Sequence, residues 1–345
     1  MKCWHLWCAH CADEVVQWLD KRVTSMLKAS LAERTAKQYS SAAGQFLLFG
    51  VWVYGAEPFL PADDWTLCRY LVWQARTVAP ENLSGYLSAI RNLHLNLGLR
   101  WTELRDRYRV QWLLKGLKRQ SALATKRKLP ITPELLSRMR ACPRLSWGDP
   151  RMKVVWAAFL LAFFTMSRKD NLAVDKVDAF NPRLHLTRGD VKVLQPGVHC
   201  TFRRSKTNQL GTRVHRVVAL AIPGSPLDPV AAVEEAFAVC PRVRPTDPAF
   251  LVPSSRGFVP LTHYVFVGTL KHCLRAIGVD PDLYSGHSFR RGGATFAHRL
   301  GVDPLLIKRM GDWSTDAYML YVDPHTPEGL VSLPVAMSRA CAALG

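Results

Sequence analysis

Apolar positions recur at helical spacing through most of the first 130 residues. Leu31 to Phe49 predicts a helix, with Tyr39, Phe46 and Phe49 among its spaced apolar positions. Pro58 and Pro61 interrupt, and Asp63 or Asp64 is placed to cap a helix over Trp65 to Arg76. Pro80 opens another break. Ser84 is expected to cap a third helix through Tyr86, Ile90, Leu93 and Leu97, which Gly98 ends. Trp101 to Leu117 continues in the same style. Further on, Thr132-Pro133-Glu134 is a helix start with proline at the first position, and Arg151 to Met166 predicts a buried core helix. There the period changes. Val198 to Arg204 and Val214 to Ile222 predict strands, and the polar stretch Ser205 to Arg213, containing Gly211, predicts a hairpin with a basic tip. Helices return after Asp228-Pro229, again a cap followed by proline.

This pattern divides the 345 residues into a helical first domain and a mixed second one, each long enough to hold its own core. The expected parts are an extension over 1–29, a helical domain over 30–120, an exposed basic linker over 121–130 (SALATKRKLP), a mixed domain over 131–325 and an apolar tail over 326–345. Leu330, Val331, Leu333, Val335 and Met337 suit that tail to docking on a neighbouring protomer or on its own domain. The longest apolar run, Val154 to Phe164, is too short to span a bilayer, and the amino terminus lacks the long apolar core of a secretory signal.

Charge sharpens the picture. Lys and Arg number 46 against 27 Asp and Glu, a formal net charge of +19. Such an excess suits a polyanionic partner, nucleic acid before membrane, because no amphipathic helix gathers the charge for a lipid surface. The basic residues concentrate between Arg100 and Lys128. Arg100, Arg105, Arg107, Arg109, Lys115, Lys118, Arg119, Lys126, Arg127 and Lys128 are the candidate phosphate contacts there, with Arg204 and Arg291 further along. The chain has nine cysteines, an odd and mostly scattered set that predicts free thiols in a reducing compartment. Cys3, Cys8, His10 and Cys11 are compact but lack a second ligand pair at zinc-finger distance, so the segment reads as a frayed, aromatic-rich terminus.

The chemistry concentrates in GHSFRRGGATFAHRLGVDPLLIKRMGDWSTDAYMLYVD, Gly286 to Asp323. His287 and Arg290 share a helix face. Asp303-Pro304 starts a short helix that Gly311 ends, and Ser314 is expected to cap a last one carrying Tyr318 and Tyr321. His298 and His325 are expected on helix surfaces. This segment resembles the signature of the tyrosine recombinases, or phage integrase family: His-x-x-Arg followed about thirty residues later by a nucleophilic tyrosine. Arg168, in FFTMSRKDNL after the buried helix, and Lys206, in RRSKTNQLGTR on the hairpin, complete the family order Arg168, Lys206, His287, Arg290, Tyr321. The spellings SKTNQLG, HSFRRGGAT and GDWSTDAY look most like DIRS-like or Crypton-like recombinases of eukaryotic mobile elements.

The resemblance implies a multidomain, mainly α fold: a helical, SAM-like core-binding domain and a mixed α+β catalytic domain with a small antiparallel sheet, clamping duplex DNA. It implies strand exchange through a 3′-phosphotyrosine without metal or ATP, by a homotetramer on a synapse that is a monomer or weak oligomer off DNA. Location would be nuclear in a eukaryote and nucleoid-associated otherwise. Two guanidiniums suit the charge that builds on phosphoryl oxygens. His287 suits a base or phosphate donor, and Lys206 a general acid for the leaving 5′-hydroxyl. One position departs. Nine residues before Tyr321, where the family has His or Trp, stands Asp312; Trp313 is the candidate substitute. Tyr318, one turn from Tyr321, is the rival nucleophile. Asp312 keeps open a DNA-binding protein that has lost cleavage, and the same chemistry without a second site would be type IB topoisomerase-like relaxation.

Overall fold

The computed structural model describes residues 9–55, 59–120, 127–204, 213–255 and 257–320. The chain divides into two compact units, Met1–Thr125 and Lys126–Gly345. It is mainly helical with small antiparallel sheets, the fold class the resemblance implies. No helix among the described residues is long and apolar enough to cross a membrane.

The first unit is all helical: α1 (Ala9–Ala29), α2 (Glu33–Tyr54), α3 (Asp64–Gln74), α4 (Leu83–Asn96) and α5 (Tyr108–Gln120). Its core joins Phe46 and Phe49 of α2, Leu67, Tyr70 and Leu71 of α3, Leu83, Leu87 and Ile90 of α4, and Val110 of α5. Phe46 meets Tyr70 edge-on at 5.0 Å, the geometry that aromatic quadrupoles favour. Asp63 caps α3 by accepting from the Thr66 amide at 2.7 Å, which settles the choice between Asp63 and Asp64.

In the second unit, α6 (Pro133–Arg140) starts at the Thr132 cap, and α7 (Pro150–Phe164) at Asp149. Helix α7 is apolar all round because it lies at the centre, packed on α9 (Pro229–Val239) and on α11 (His287–Arg299). A four-residue helix, α8 (Lys169–Leu172), follows it closely. Strands β1 (Val191–Leu194), β2 (Gly197–Phe202) and β3 (His215–Leu220) form an antiparallel meander. Its register aligns Val191 with Cys200 and Cys200 with Val217, so one face buries these residues in the core around α7 and α9. Strands β4 (Leu251–Ser254) and β5 (Gly257–Pro260) make a separate hairpin before α10 (His263–Ala276). Helix α12 (Pro304–Met310) runs from the Asp303 cap to Gly311.

Several expectations are corrected. The extension, for which the pattern predicted no element, is helical over Ala9–Ala29, and most of the Cys3–Cys11 segment read as frayed lies outside the described residues. Ser84 does not cap α4: a 3-10 turn over Pro80–Asn82 leads straight into the helix, so Ser84 lies inside it. Trp101 to Leu117 is not one helix, because a 3-10 turn over Leu104–Asp106 precedes α5. The end of the expected exposed linker is tied down. The Leu129 amide donates to the Leu283 carbonyl at 2.8 Å, and the Ile131 amide to that of Ser288 at 2.9 Å. Ser314 caps no α-helix; a 3-10 turn spans Asp316–Leu320 instead. The sequence pattern missed β1, β4 and β5.

Candidate active site

Arg168 stands at the junction of α7 and α8, as the residue before the first turn of α8. The junction is tight. Met166 adopts φ +50°, a left-handed conformation rare for a side chain of its size. Thr165 donates its hydroxyl to the Leu161 carbonyl at 2.6 Å and accepts from the Ser167 hydroxyl at 2.7 Å. Arg168 is thereby held almost wholly buried.

Helix α11 brings the second arginine to the same junction. Arg290 is 2% exposed, and its Nη1 donates to the Met166 carbonyl at 2.6 Å. The helix approaches this closely because two glycines follow Arg291. A Cβ on Gly292 would lie 1.7 Å from the Ile131 carbonyl oxygen, and one on Gly293 2.2 Å from that of Phe163. Both are far inside van der Waals contact, so the backbone spacing requires glycine.

His287 opens α11 one turn before Arg290. Its ring reaches solvent, yet the protein around it disfavours the charged form. Desolvation, then the positive fields of Arg290 and Arg168, lower its pKa below the ordinary histidine value, while Asp170 opposes them. That mutual influence brings Arg168, His287 and Arg290 into one neighbourhood. Around them, Lys169 pairs with Asp170, and Asp170 also faces Nε2 of His263 at 3.2 Å.

The turn after α12 closes the group. The Trp313 ring lies against the Arg290 guanidinium, with 3.6 Å between its centroid and the guanidinium carbon, a cation–π contact. Trp313 also packs with Met166, Ala294, Ile307 and Tyr318 in a small cluster. Tyr318, the rival nucleophile, is thus 5% exposed and part of a core. Asp312 is buried in left-handed conformation, φ +54°, and Nη2 of Arg213 donates to its Oδ1. Lys206 and Tyr321 lie outside the described residues, as do Lys126, His325 and the 326–345 tail.

The candidate phosphate contacts separate into kinds. Arg100, Arg105, Arg109, Lys115, Lys118, Arg119, Arg127, Lys128 and Arg204 are exposed. Arg291 is half-buried, with Nη1 on the Lys128 carbonyl at 2.8 Å. Arg107 departs from expectation. It is 5% exposed, donates to Asp64 at 2.6 Å and to the Thr102 carbonyl at 2.9 Å, and lies over Trp101. A guanidinium so engaged holds the first unit together. Sequence reasoning also missed Arg213, Asp170 and His263: the Arg213–Asp312 and Asp170–His263 contacts join distant parts of the chain and leave no local spacing signal.

No family model matches the chain. Over 302 residues it is 26% identical to an integrase/recombinase XerD homolog of Selenomonas ruminantium, covering 84% of this chain and 81% of that protein. Its fold is similar to that of the Tn1549 transposon integrase in complex with transposon right-end DNA, with a TM-score of 0.59 at 12% identity over 92% of this chain and 98% of that one. A XerH site-specific recombinase bound to palindromic difH substrate gives 0.59 at 14% over 88% and 80%. A lambda integrase dimer bound to a COC′ core site gives 0.50 at 15% over 90% and 96%. The sequence relative, the folded neighbours and the order of motifs along the chain all point one way: the chain is similar in sequence to an integrase/recombinase and has the fold of the tyrosine recombinases, or integrases.

Proposed function

We propose that this protein is a site-specific DNA recombinase that cuts and rejoins duplex DNA through a 3′-phosphotyrosine. The convergence of Arg168, His287 and Arg290 at the α7–α8 junction carries the reading. It supplies two permanent cations and one neutral base within a small space. The guanidiniums hold the non-bridging oxygens of the scissile phosphodiester, where negative charge grows during attack. The Tyr321 phenol attacks phosphorus and gives its proton to His287, while Lys206 protonates the departing 5′-hydroxyl. In the second step a 5′-hydroxyl from the partner strand gives its proton to Lys206 and attacks phosphorus, the new phosphodiester forms, and the departing phenolate takes its proton back from His287. Two balanced transesterifications conserve bond energy, so no nucleotide is consumed.

Finer features belong to the same proposal. The working unit is a homotetramer on a synapse, both units contact DNA through their exposed arginines and lysines, and the host element is DIRS-like or Crypton-like. The protein acts where that element's DNA resides, in the nucleus of a eukaryote. A suicide-substrate assay tests the reading. Purified protein is mixed with nicked DNA carrying the flanks of its own locus, and the readout is an SDS-resistant adduct. Adduct formed by the parent and by Tyr318→Phe but lost in Tyr321→Phe is the expected result. Tight cognate binding without any adduct would favour the binding-only alternative; relaxation of supercoiled DNA without exchange between two sites would favour the topoisomerase one.

A further inference from the structure

We propose that Arg213 and Asp312 form a positioning pair, which neutralises a carboxylate at the edge of the active site and pins the turn carrying Trp313 to the start of β3. The proposal rests on the recombinase reading for its catalytic consequence. Its structural part stands alone.

Asp312 is suited to its backbone but not to its surroundings. Its φ of +54° is one that aspartate adopts more readily than most side chains, yet it is buried, where an unpartnered carboxylate is costly. It also stands next to Trp313, and therefore close to Arg290, where a bare anion would repel an incoming phosphodiester. Arg213 answers the charge directly, donating from Nη2 to Oδ1 across 99 positions of chain. Two residues along, Nε2 of His215 hydrogen-bonds the Met310 carbonyl at 3.0 Å. Two neighbouring side chains at the leading end of β3 thus hold two residues of one turn. That turn is further closed by backbone bonds, Asp312 N–H to Arg309 and Trp313 N–H to Lys308. From Trp313 the contacts run to the Arg290 guanidinium and on to the Met166 carbonyl.

The two ends of the pair are not equivalent. Losing Arg213 removes a cation from a buried carboxylate beside the phosphate site, whereas losing the charge of Asp312 leaves an amide and an arginine that reaches solvent. Arg213→Ala is therefore the harsher change, and Asp312→Asn relieves it. A residue that merely fills space does not give that sign.

The experiment uses the full chain with Arg213→Ala, Asp312→Asn and the double variant. Single-turnover adduct formation is measured at saturating DNA, DNA affinity separately, and hydrogen exchange over 310–318 without DNA. Arg213→Ala is expected to slow adduct formation on the order of 100-fold, Asp312→Asn about tenfold or less, and the double variant to return to the Asp312→Asn level. Exchange over 310–318 rises in Arg213→Ala, and DNA affinity falls by no more than the loss of one exposed cation gives. Additive losses without recovery, or unaltered exchange, overturn the pair. If the parent forms no adduct, the recombinase reading falls, while the exchange result still decides whether Arg213 holds the turn.

Discussion

The Trp313 ring covers one face of the Arg290 guanidinium at 3.6 Å, while Nη1 of the same guanidinium donates to the Met166 carbonyl. The arginine is thereby oriented from two sides before any DNA arrives, which is the preorganisation a charge-stabilising group needs. A cation–π contact this well shielded from water contributes roughly 2 kcal/mol. Trp313→Ala is expected to slow adduct formation about 30-fold, and Trp313→Phe far less, because a flat ring remains. Equal damage from both variants would instead assign Trp313 its role as an indole N–H donor to the phosphate.

His287 provides a pH test. Its pKa lies below 6.5 in the free protein, through desolvation and then the fields of Arg290 and Arg168. The neutral, proton-accepting form therefore persists to lower pH than for an ordinary histidine. An NMR titration of the imidazole should place the midpoint under 6.5, and Arg290→Ala should move it upward. A midpoint above 6.5 in the parent would show that desolvation and the arginine fields do not govern His287.

Arg107 and Lys115 belong to the same basic segment but predict opposite phenotypes. Arg107→Ala breaks a largely buried pair with Asp64 and should cost roughly 3 kcal/mol of stability. Lys115 is exposed, so Lys115→Ala should leave the thermal midpoint alone and reduce the salt dependence of DNA binding by about one counterion. Thermal unfolding and a salt titration separate them.

Gly292→Ala and Gly293→Ala each drive a methyl into a backbone carbonyl that is part of a helix or its flank. Each should destabilise by roughly 3 kcal/mol or more, beyond ordinary overpacking, because the obstructing atoms are main chain. Denaturant midpoints measure this directly.

How much of this was legible in the sequence depended on the range of the signal. The Thr132, Asp228 and Asp303 caps, each followed by proline, were readable because a cap is a contact over two or three residues. Helix α7 was readable from its unbroken apolar run. The β1 strand is only four residues long, too short to establish a period of two. Arg107 looked like its basic neighbours because Asp64 lies 43 positions away. Asp312 looked like a defect for the same reason: Arg213 comes near it only in the folded chain.

The glycine pair after Arg291 has one more consequence, for the history of such chains. Gly292 and Gly293 answer to the distance between two backbones and have no part in phosphoryl transfer. A descendant that lost its nucleophile but still folded would be under pressure to keep both. The string RRGG is thus a marker of architecture, able to outlive the activity beside it. Under the proposed mechanism, genomic fossils of such a gene would be recognised by their glycines long after Tyr321 had mutated.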